Sequence, residues 1–326
     1  MNVPNEQRTA ESADLPFRSR LRLPLIVAPM LHVSGLALVQ AVCAAGAIGA
    51  FPTANCRDAA MLEHWLASLD LAAARAADAG QSVAPYCPNL IMRRDAAALQ
   101  ADIEALVAHR CELVITSVGS PRAVVPPLHD AGCQVFVDVA SMRHVEKAIA
   151  DGVDGLVLLT AGAGGQTGWV NPFAFVRAVR AVWQGPLVLA GGIADGVALR
   201  AALTLGCDFA YMGTRFIATQ ESEAAQEYKT MLVEADLDDV TLTSAFTGLP
   251  TNFLVPSIRR AGLDLAALPS APTVEQARAL FSGEGAGGGQ RWREIWSAGH
   301  TVSGVNGVPE AAELVATVAR EYAASA

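Results

Sequence analysis

Short apolar runs alternate along the chain with longer, alanine-rich amphipathic stretches. Aliphatic and β-branched runs bounded by Gly or Pro read as buried strands, and the longer stretches carry the 3.6-residue period of helices. The pattern predicts strands at "LPLIVAP" (23–29), "AIGAF" (47–51), "SVAPYCPNL" (82–90), "LVITS" (113–117), "QVFVDVA" (134–140), "GLVLLT" (155–160), "PLVLAG" (186–191) and "FAYMGT" (209–214). Helices are expected between them at Ser34–Ala45, Asp58–Ala79, Asp95–His109, Arg143–Asp151 and Asp195–Leu205, several opening on a Ser or Asp N-cap. Asn171-Pro172 opens a further helix-like pattern. "GVDGLVLL" and "GCDFAYMG" repeat one device: a glycine at a helix end, an aspartate, then a strand.

Eight strands with crossovers predict an α/β fold, a parallel (β/α)8 TIM barrel, in preference to an open doubly wound sheet. The strand rhythm stops near residue 219. The barrel is therefore expected over 1–219. Residues 220–326 are expected to form a mostly helical extension that covers the barrel mouth and brings the His300 loop to the site. Within the extension, "EAAQEYKTMLVEAD" reads as helix, "FTGLPTNFLVPS" as turn-rich and "SGEGAGGGQ" as flexible. No solenoid-type repeat is present.

Composition narrows the classes. With 326 residues, 52% hydrophobic and 17% charged, the chain can bury a large core and does not read as a disordered tether. A net charge of -9 argues against nucleic acid or an anionic membrane surface as partner. The six cysteines follow no metal-like spacing, which predicts reduced, buried thiols and no metal site. The polar N-terminus lacks an apolar signal core, and no run is long enough to span a bilayer; a soluble cytoplasmic protein is expected. A homodimer is one assembly left open.

In such barrels the active site lies at the C-terminal ends of the strands. Those ends carry Ala28-Pro29-Met30 with His32 just beyond, Asn89, Asp138, the loop "AGAGGQTG", Gly191-Gly192 and Gly213-Thr214. Exposed glycine N–H groups in the loops after strands seven and eight suit a phosphate; the plainer alternative is that Gly-Gly only turns the chain. The phosphate can belong to a sugar phosphate or to the tail of FMN. No lysine stands at a strand end for Schiff-base chemistry, Lys147 falling in a helix and Lys229 in the extension. A lining of glycines, Ala-Pro-Met and an amide suits a broad, nearly neutral ring better. No G-x-G-x-x-G follows the first strand, so FMN is expected and not FAD.

"PLIVAPM", "APYCPNL", "AGAGGQTG", "LAGGIADG", "GCDFAYMGTRFIATQES" and "WSAGHTVSG" together resemble the nitronate monooxygenase (2-nitropropane dioxygenase) family. These are FMN-dependent barrels related to flavin enoyl reductases and quinone reductases, and the resemblance covers most of residues 20–305. It implies FMN held by Ala28, Pro29, Met30, Asn89, Gly164, Gly165, Gly191, Gly192, Gly213 and Thr214. The chain also departs from the family. The family's loop reads A-G-G-H-x-G, with the histidine as base; here Gln166 takes that place, an amide that accepts no proton at ordinary pH. The fifth strand often brings a lysine to the flavin, where this chain has Asp138. The late A-G-Q reads Ala298-Gly299-His300.

Gln166 either polarises a nitro or carbonyl oxygen or braces its loop. His32 and His300 are candidates for the missing base, against the plainer reading of structural hydrogen bonding. Asp138 either contacts the flavin or pairs with a neighbour such as Arg143. Trp169 and Phe173 can wall an apolar pocket, while Phe175 reads as helix packing and Cys87 as a packing residue. The expected function is oxidation of alkyl nitronates with O2 by an FMN enzyme. The alternative is an NAD(P)H-dependent reductase of quinones or enones on the same barrel, which needs no loop histidine. A non-catalytic flavin binder is a third reading, disfavoured by the large lined mouth.

Overall fold

Along each predicted strand the side chains alternate between two apolar environments, and the strands close on themselves to separate the two. The computed structural model describes residues 15–270 and 295–325, with 273 and 275 between them. The barrel is built from β1 (Leu25–Val27), β2 (Ile48–Pro52), β3 (Tyr86–Ile91), β4 (Leu113–Ser117), β5 (Gln134–Val139) and β6 (Gly155–Leu159). A short β7 (Gly165–Gln166) lies outside it, and β8 (Leu187–Ala190) and β9 (Phe209–Met212) complete it. Every neighbouring pair is parallel, and β9 returns to β1 with Leu25 opposite Ala210. All eight predicted strands are present, each within a few residues of its expected bounds.

The inner face is filled by Ile26, Ile48, Cys87, Ile115, Phe136, Val157, Val188 and Phe209, with Leu15 and Phe17 in the same cluster. The outer face packs on the helices: α1 (Leu36–Ala44), α2 (Ala59–Asp78), α3 (Ala96–Ala108), α4 (Val125–Asp130), α5 (Met142–Ala150), α6 (Pro172–Arg180) and α7 (Gly196–Leu205). Asp58, Asp95, Ser141, Asn171 and Asp195 each accept a first-turn N–H, so the polar caps seen in the sequence are used as caps. α1 starts later than expected, with Gly35 as its N-cap, because the Ser34 hydroxyl is engaged in the site loop. α4, "VPPLHD", is too short and too rich in proline to show a period.

The repeated glycine–aspartate–strand device has a structural cause. Asp154 Oδ2 accepts the Val135 N–H at 2.7 Å, and Asp208 Oδ2 accepts the Leu187 N–H at 2.9 Å. Each aspartate thus satisfies a donor at the start of the neighbouring strand, at the N-terminal end of the barrel. A cation-forming side chain holds each one: His129 at 2.8 Å from Asp154, and Arg180 at 2.5 Å from Asp208.

After β9 come α8 (Thr214–Ile217), α9 (Gln226–Glu234), α10 (Val255–Arg260) and α11 (Ala311–Ala324). The extension therefore carries the expected helices. It also carries a sheet the sequence reading lacked: β10 (Val240–Thr243) pairs antiparallel with β11 (Thr251–Leu254), and β11 pairs with β7. The turn-rich reading of "FTGLPTNFLVPS" is thereby corrected, since its "TNFL" is β11. "SGEGAGGGQ" lies outside the described residues. α11 returns to the outer ring, packing on α7 and α1. Among the described residues no helix is long and apolar enough to cross a membrane, and no group of three or more His, Cys, Asp or Glu side chains is arranged to hold a metal ion.

The contact of α7 with α11 is close at one point. A Cβ on Gly196 would lie 2.1 Å from Tyr322 N and 2.4 Å from Val318 O, while Gly196 N–H donates to Glu321 Oε2 at 3.0 Å. Helix propensity alone would favour alanine here by about 1 kcal/mol, but overpacking of two backbones costs about 1–3 kcal/mol or more. Gly196→Ala is therefore expected to lower stability on balance, read as a lower urea midpoint. A more stable variant would contradict the close backbone approach.

Candidate functional site

The loop after β1 is fixed before any ligand is considered. Ala28 N–H continues the ladder to Met212 O at 3.0 Å. Ser34 Oγ accepts the Met30 N–H at 3.0 Å and donates to Ala28 O at 3.3 Å. Asn55, in the turn after β2, donates to Met30 O at 3.0 Å and Ser34 O at 2.9 Å, and accepts the His32 N–H at 2.8 Å. His32 has a left-handed φ of 59° and an exposed side chain at the rim. Neither Ser34 nor Asn55 was singled out from sequence; each looks there like an ordinary cap or turn residue.

Asn89 is buried at the end of β3, its amide donating to Ile115 O at 3.1 Å and accepting from Ser117 Oγ at 3.3 Å. Asp138 points into the barrel from β5. It makes no ion pair with Arg143 or any other described residue, which removes that alternative, and its Oδ1 is sealed without a hydrogen bond. Burial alone pushes its carboxyl up to about 7.

The glycine loop hangs between barrel and extension. Asn252 Nδ2 donates to Ala163 O at 2.7 Å, Thr167 N–H to Pro250 O at 3.1 Å, and His300 N–H to Gly162 O at 2.9 Å. Thr167 Oγ1 donates back to Thr160 O at 2.7 Å. A Cβ on Gly164 would lie 2.7 Å from Gly299 N, and one on Gly168 would lie 2.2 Å from Leu159 O. The expectation that the loop glycines make room for a flat ring is thus only partly met. These two make room for protein backbone, whereas Gly165 faces open space. Gln166 sits opposite Thr251, its exposed side chain making no hydrogen bond to a described residue. Asn252, which ties this loop to the extension, is a position that sequence reasoning missed; it lay in a stretch read as turns.

Gly191 packs tightly, a Cβ there falling 2.5 Å from Thr160 Oγ1, but Gly192, with φ 79°, has nothing within 4 Å of that position. Gly213 is in ordinary contact with Ala28 and Met30. Thr214 Oγ1 accepts the Gly299 N–H at 2.9 Å and keeps its own proton to donate. Arg215 donates to Ala194 O at 3.0 Å and so sets a cation beside both turns, its guanidinium held below its usual range by burial. His300 is exposed, its ring against Gly162. The structure thus gathers residues from β1, β3, β5, β6, β8, β9 and the extension at one end of the barrel.

Two expectations change. Trp169 and Phe173 are 81% and 60% exposed and wall no pocket, while Phe175 packs the helix as expected. A cavity of about 500 Å³ lies at the other end of the barrel, around Leu69, Asp70, Tyr86, His109 and Cys111. There His109, at the end of a predicted helix, is bonded to Asp70 at 2.6 Å and Glu63 at 3.0 Å. All six cysteines are buried with thiols pushed up by burial, which disfavours the nucleophilic thiolate.

A family model described as nitronate monooxygenase matches residues 18–321. The chain belongs to the nitronate monooxygenase family. Membership makes it an oxidoreductase and implies a flavin cofactor. It is 27% identical over 357 residues to a nitronate monooxygenase of Paraburkholderia phytofirmans, covering 96% of each chain. It is also 27% identical over 234 residues to a hydroxy-methyl-oxo-octahydroindene-carboxyl-CoA dehydrogenase of Mycobacterium tuberculosis, a match spanning 71% of this chain and 62% of that one. A nitroalkane oxidase structure from Streptomyces ansochromogenes superposes with a TM-score of 0.78 at 25% identity, covering 94% of this chain and 97% of that one.

The Asn252 amide carries the link between extension and loop. Asn252→Ala would leave the Ala163 carbonyl buried without its donor, a loss of about 1–3 kcal/mol. The expected result is a lower melting temperature together with faster amide exchange in residues 161–168. Unchanged exchange there would show that the strand pairing holds the loop alone.

Proposed function

We propose that this family member binds FMN at the C-terminal mouth of the barrel and oxidises alkyl nitronates with O2. The observation that carries the reading is the pair of turns after β8 and β9. Gly192 opens onto empty space, Thr214 keeps a proton to donate, and Arg215 sets a cation beside both. That donor set suits the phosphate of FMN. Ala28, Pro29, Met30, Asn89, Gly164, Gly165 and Asp138 are proposed to line the rest of the cofactor. The open side of Gly165 and the unbonded Asp138 fit such an occupant. When bound, the flavin supplies acceptance of electrons from a carbanionic substrate and their passage to O2.

The chain's own residues then orient and hold charge. Gln166, rigid in its main chain through β7 and free in its side chain, aims an N–H donor at a developing oxygen anion and removes no proton. A nitronate arrives already deprotonated, so it needs no protein base. His32 and His300, both exposed at the rim, are the rival bases. The same absence of a loop histidine favours a second reading, hydride acceptance from NAD(P)H for reduction of a quinone or enone. Anaerobic mixing decides between them: bleaching of the flavin by a nitronate supports the first, and bleaching by NAD(P)H alone the second.

Gly192→Val is expected to abolish flavin retention while the far-ultraviolet circular dichroism stays unchanged. Full occupancy in the variant would overturn the phosphate assignment.

Gln166→His is expected to gain activity on neutral nitroalkanes, with a pH profile near that of imidazole, at about 6.5. The wild-type protein should prefer preformed nitronates. Efficient wild-type turnover of a neutral nitroalkane, lost in His32→Ala or His300→Ala, would instead assign the base to one of those histidines.

A further inference from the structure

The barrel interior holds a polar pair that no described residue satisfies. Asp138 on β5 and Tyr211 on β9 both point inward, each two residues beyond a phenylalanine of the inner cluster, Phe136 and Phe209. Asp138 Oδ1 and the Tyr211 hydroxyl are sealed from solvent, and neither has a hydrogen-bond partner. Among the described residues only Arg200 Nε shares that condition, and its guanidinium lies 3.7 Å over the Tyr322 ring, on the outside of the barrel. Buried polar groups in native proteins are nearly always bonded, so two orphans facing one interior are a place made for something else to bond.

Charge says which form that partner meets. The titratable groups facing Asp138 across the interior are Tyr211 and, on β3, Cys87, both neutral with their protons held more tightly by burial. Among the described residues no lysine, arginine or histidine pairs with it. In the empty interior the carboxyl therefore titrates near neutrality, at about 7. A flavin ring placed above it presents carbonyl oxygens and its unprotonated ring nitrogens, which repel a carboxylate and accept from a carboxylic acid.

We propose that Asp138 is a proton-linked contact of the cofactor: its carboxyl is protonated when the flavin is in place and donates, with the Tyr211 hydroxyl, to acceptor atoms of the ring. Filling the site above neutral pH then takes up one proton, which goes onto the Asp138 carboxylate; no electron moves. This deepens the FMN reading and rests on it. The sign follows from the direction of the shift. Because occupancy holds the proton more tightly than the empty site, affinity is full below about pH 7 and falls as pH rises above it.

The test uses the purified holo-protein, diluted serially at pH values from about 6 to about 9, with released flavin read by its fluorescence. The dissociation constant is expected to rise by up to about tenfold per pH unit above neutrality. Asp138→Asn, which donates but does not titrate, is expected to change less than about twofold over the same range. Riboflavin, lacking the phosphate and its own ionisation near about 6, should show the wild-type slope unchanged. Equal slopes in wild type and Asp138→Asn overturn the inference. Should that variant not fold, absorbance of the bound wild-type flavin is followed against pH. A one-proton transition near or above neutrality supports the inference, and a flat trace overturns it. Flavin held with pH-independent affinity overturns this inference alone; a protein that takes up no flavin at any pH overturns the FMN reading with it.

Discussion

Two main-chain residues, Gly165 and Gln166, are paired to β11, and the geometry of the mouth depends on that short ladder. Beyond Thr160, whose N–H still pairs with Ala190 O of β8 at 3.0 Å, the segment to Asn171 leaves the barrel strands. Backbone groups so placed must find partners or water. They find the extension: Asn252 takes Ala163 O, Pro250 O takes Thr167 N–H, and His300 N–H takes Gly162 O. The close approach of Gly164 to Gly299 is the steric side of the same arrangement. Gln166 is held where it is by the extension as much as by the barrel, so loop position and extension folding are one problem.

The opposite end of the barrel is organised by different chemistry. Asp154 accepts the Val135 N–H near the start of β5 and Asp208 the Leu187 N–H that opens β8, each backed by a cation-forming side chain. These bonds are local to strand starts and far from the mouth in the chain's own geometry. Substitution there acts on closure of the barrel, whereas substitution at Asn252 or Asn55 acts on where the site loops lie. Stability and site geometry are thus carried by separate polar groups, which leaves the mouth free to keep polar atoms unsatisfied.

Much of the fold was legible because its signals are short-range. A buried parallel strand is a run of Val, Ile and Leu; a helix start is Asp58, Asp95 or Asp195 before an apolar period. The strand-end rule then brought Ala28, Asn89, Asp138, Gly191 and Gly213 to one face before any coordinates. What stayed hidden depends on long-range pairing. β11 is four residues, too short for alternation to register, and one of its partners is the Gly165–Gln166 dipeptide some 85 residues earlier, in a glycine-rich stretch whose composition says turn. Ser34 reads as a cap because only the fold reveals that Met30 N–H needs its hydroxyl more than α1 does. The glycine count misled in the same way: Gly164 and Gly168 answer to neighbouring backbone, which no local pattern encodes.

Asp138 in the place where the family often has lysine would suggest an inverted electrostatic field at the flavin. Read as an anion, it would disfavour added negative charge on a nearby ring and lower its potential. Burial changes that argument. Among the described residues no counterion and no hydrogen bond reaches Oδ1, and burial pushes the carboxyl up to about 7, so that it keeps its proton below neutrality. In that protonated form the substitution removes a positive charge without adding a negative one, and Gln166 likewise replaces an imidazole with an amide. Both departures take charge away from the mouth, where Arg215 stands as a cation beside the turns after β8 and β9. In such a site discrimination rests on hydrogen-bond donors aimed at oxygen, which suits a substrate that brings its own negative charge already formed.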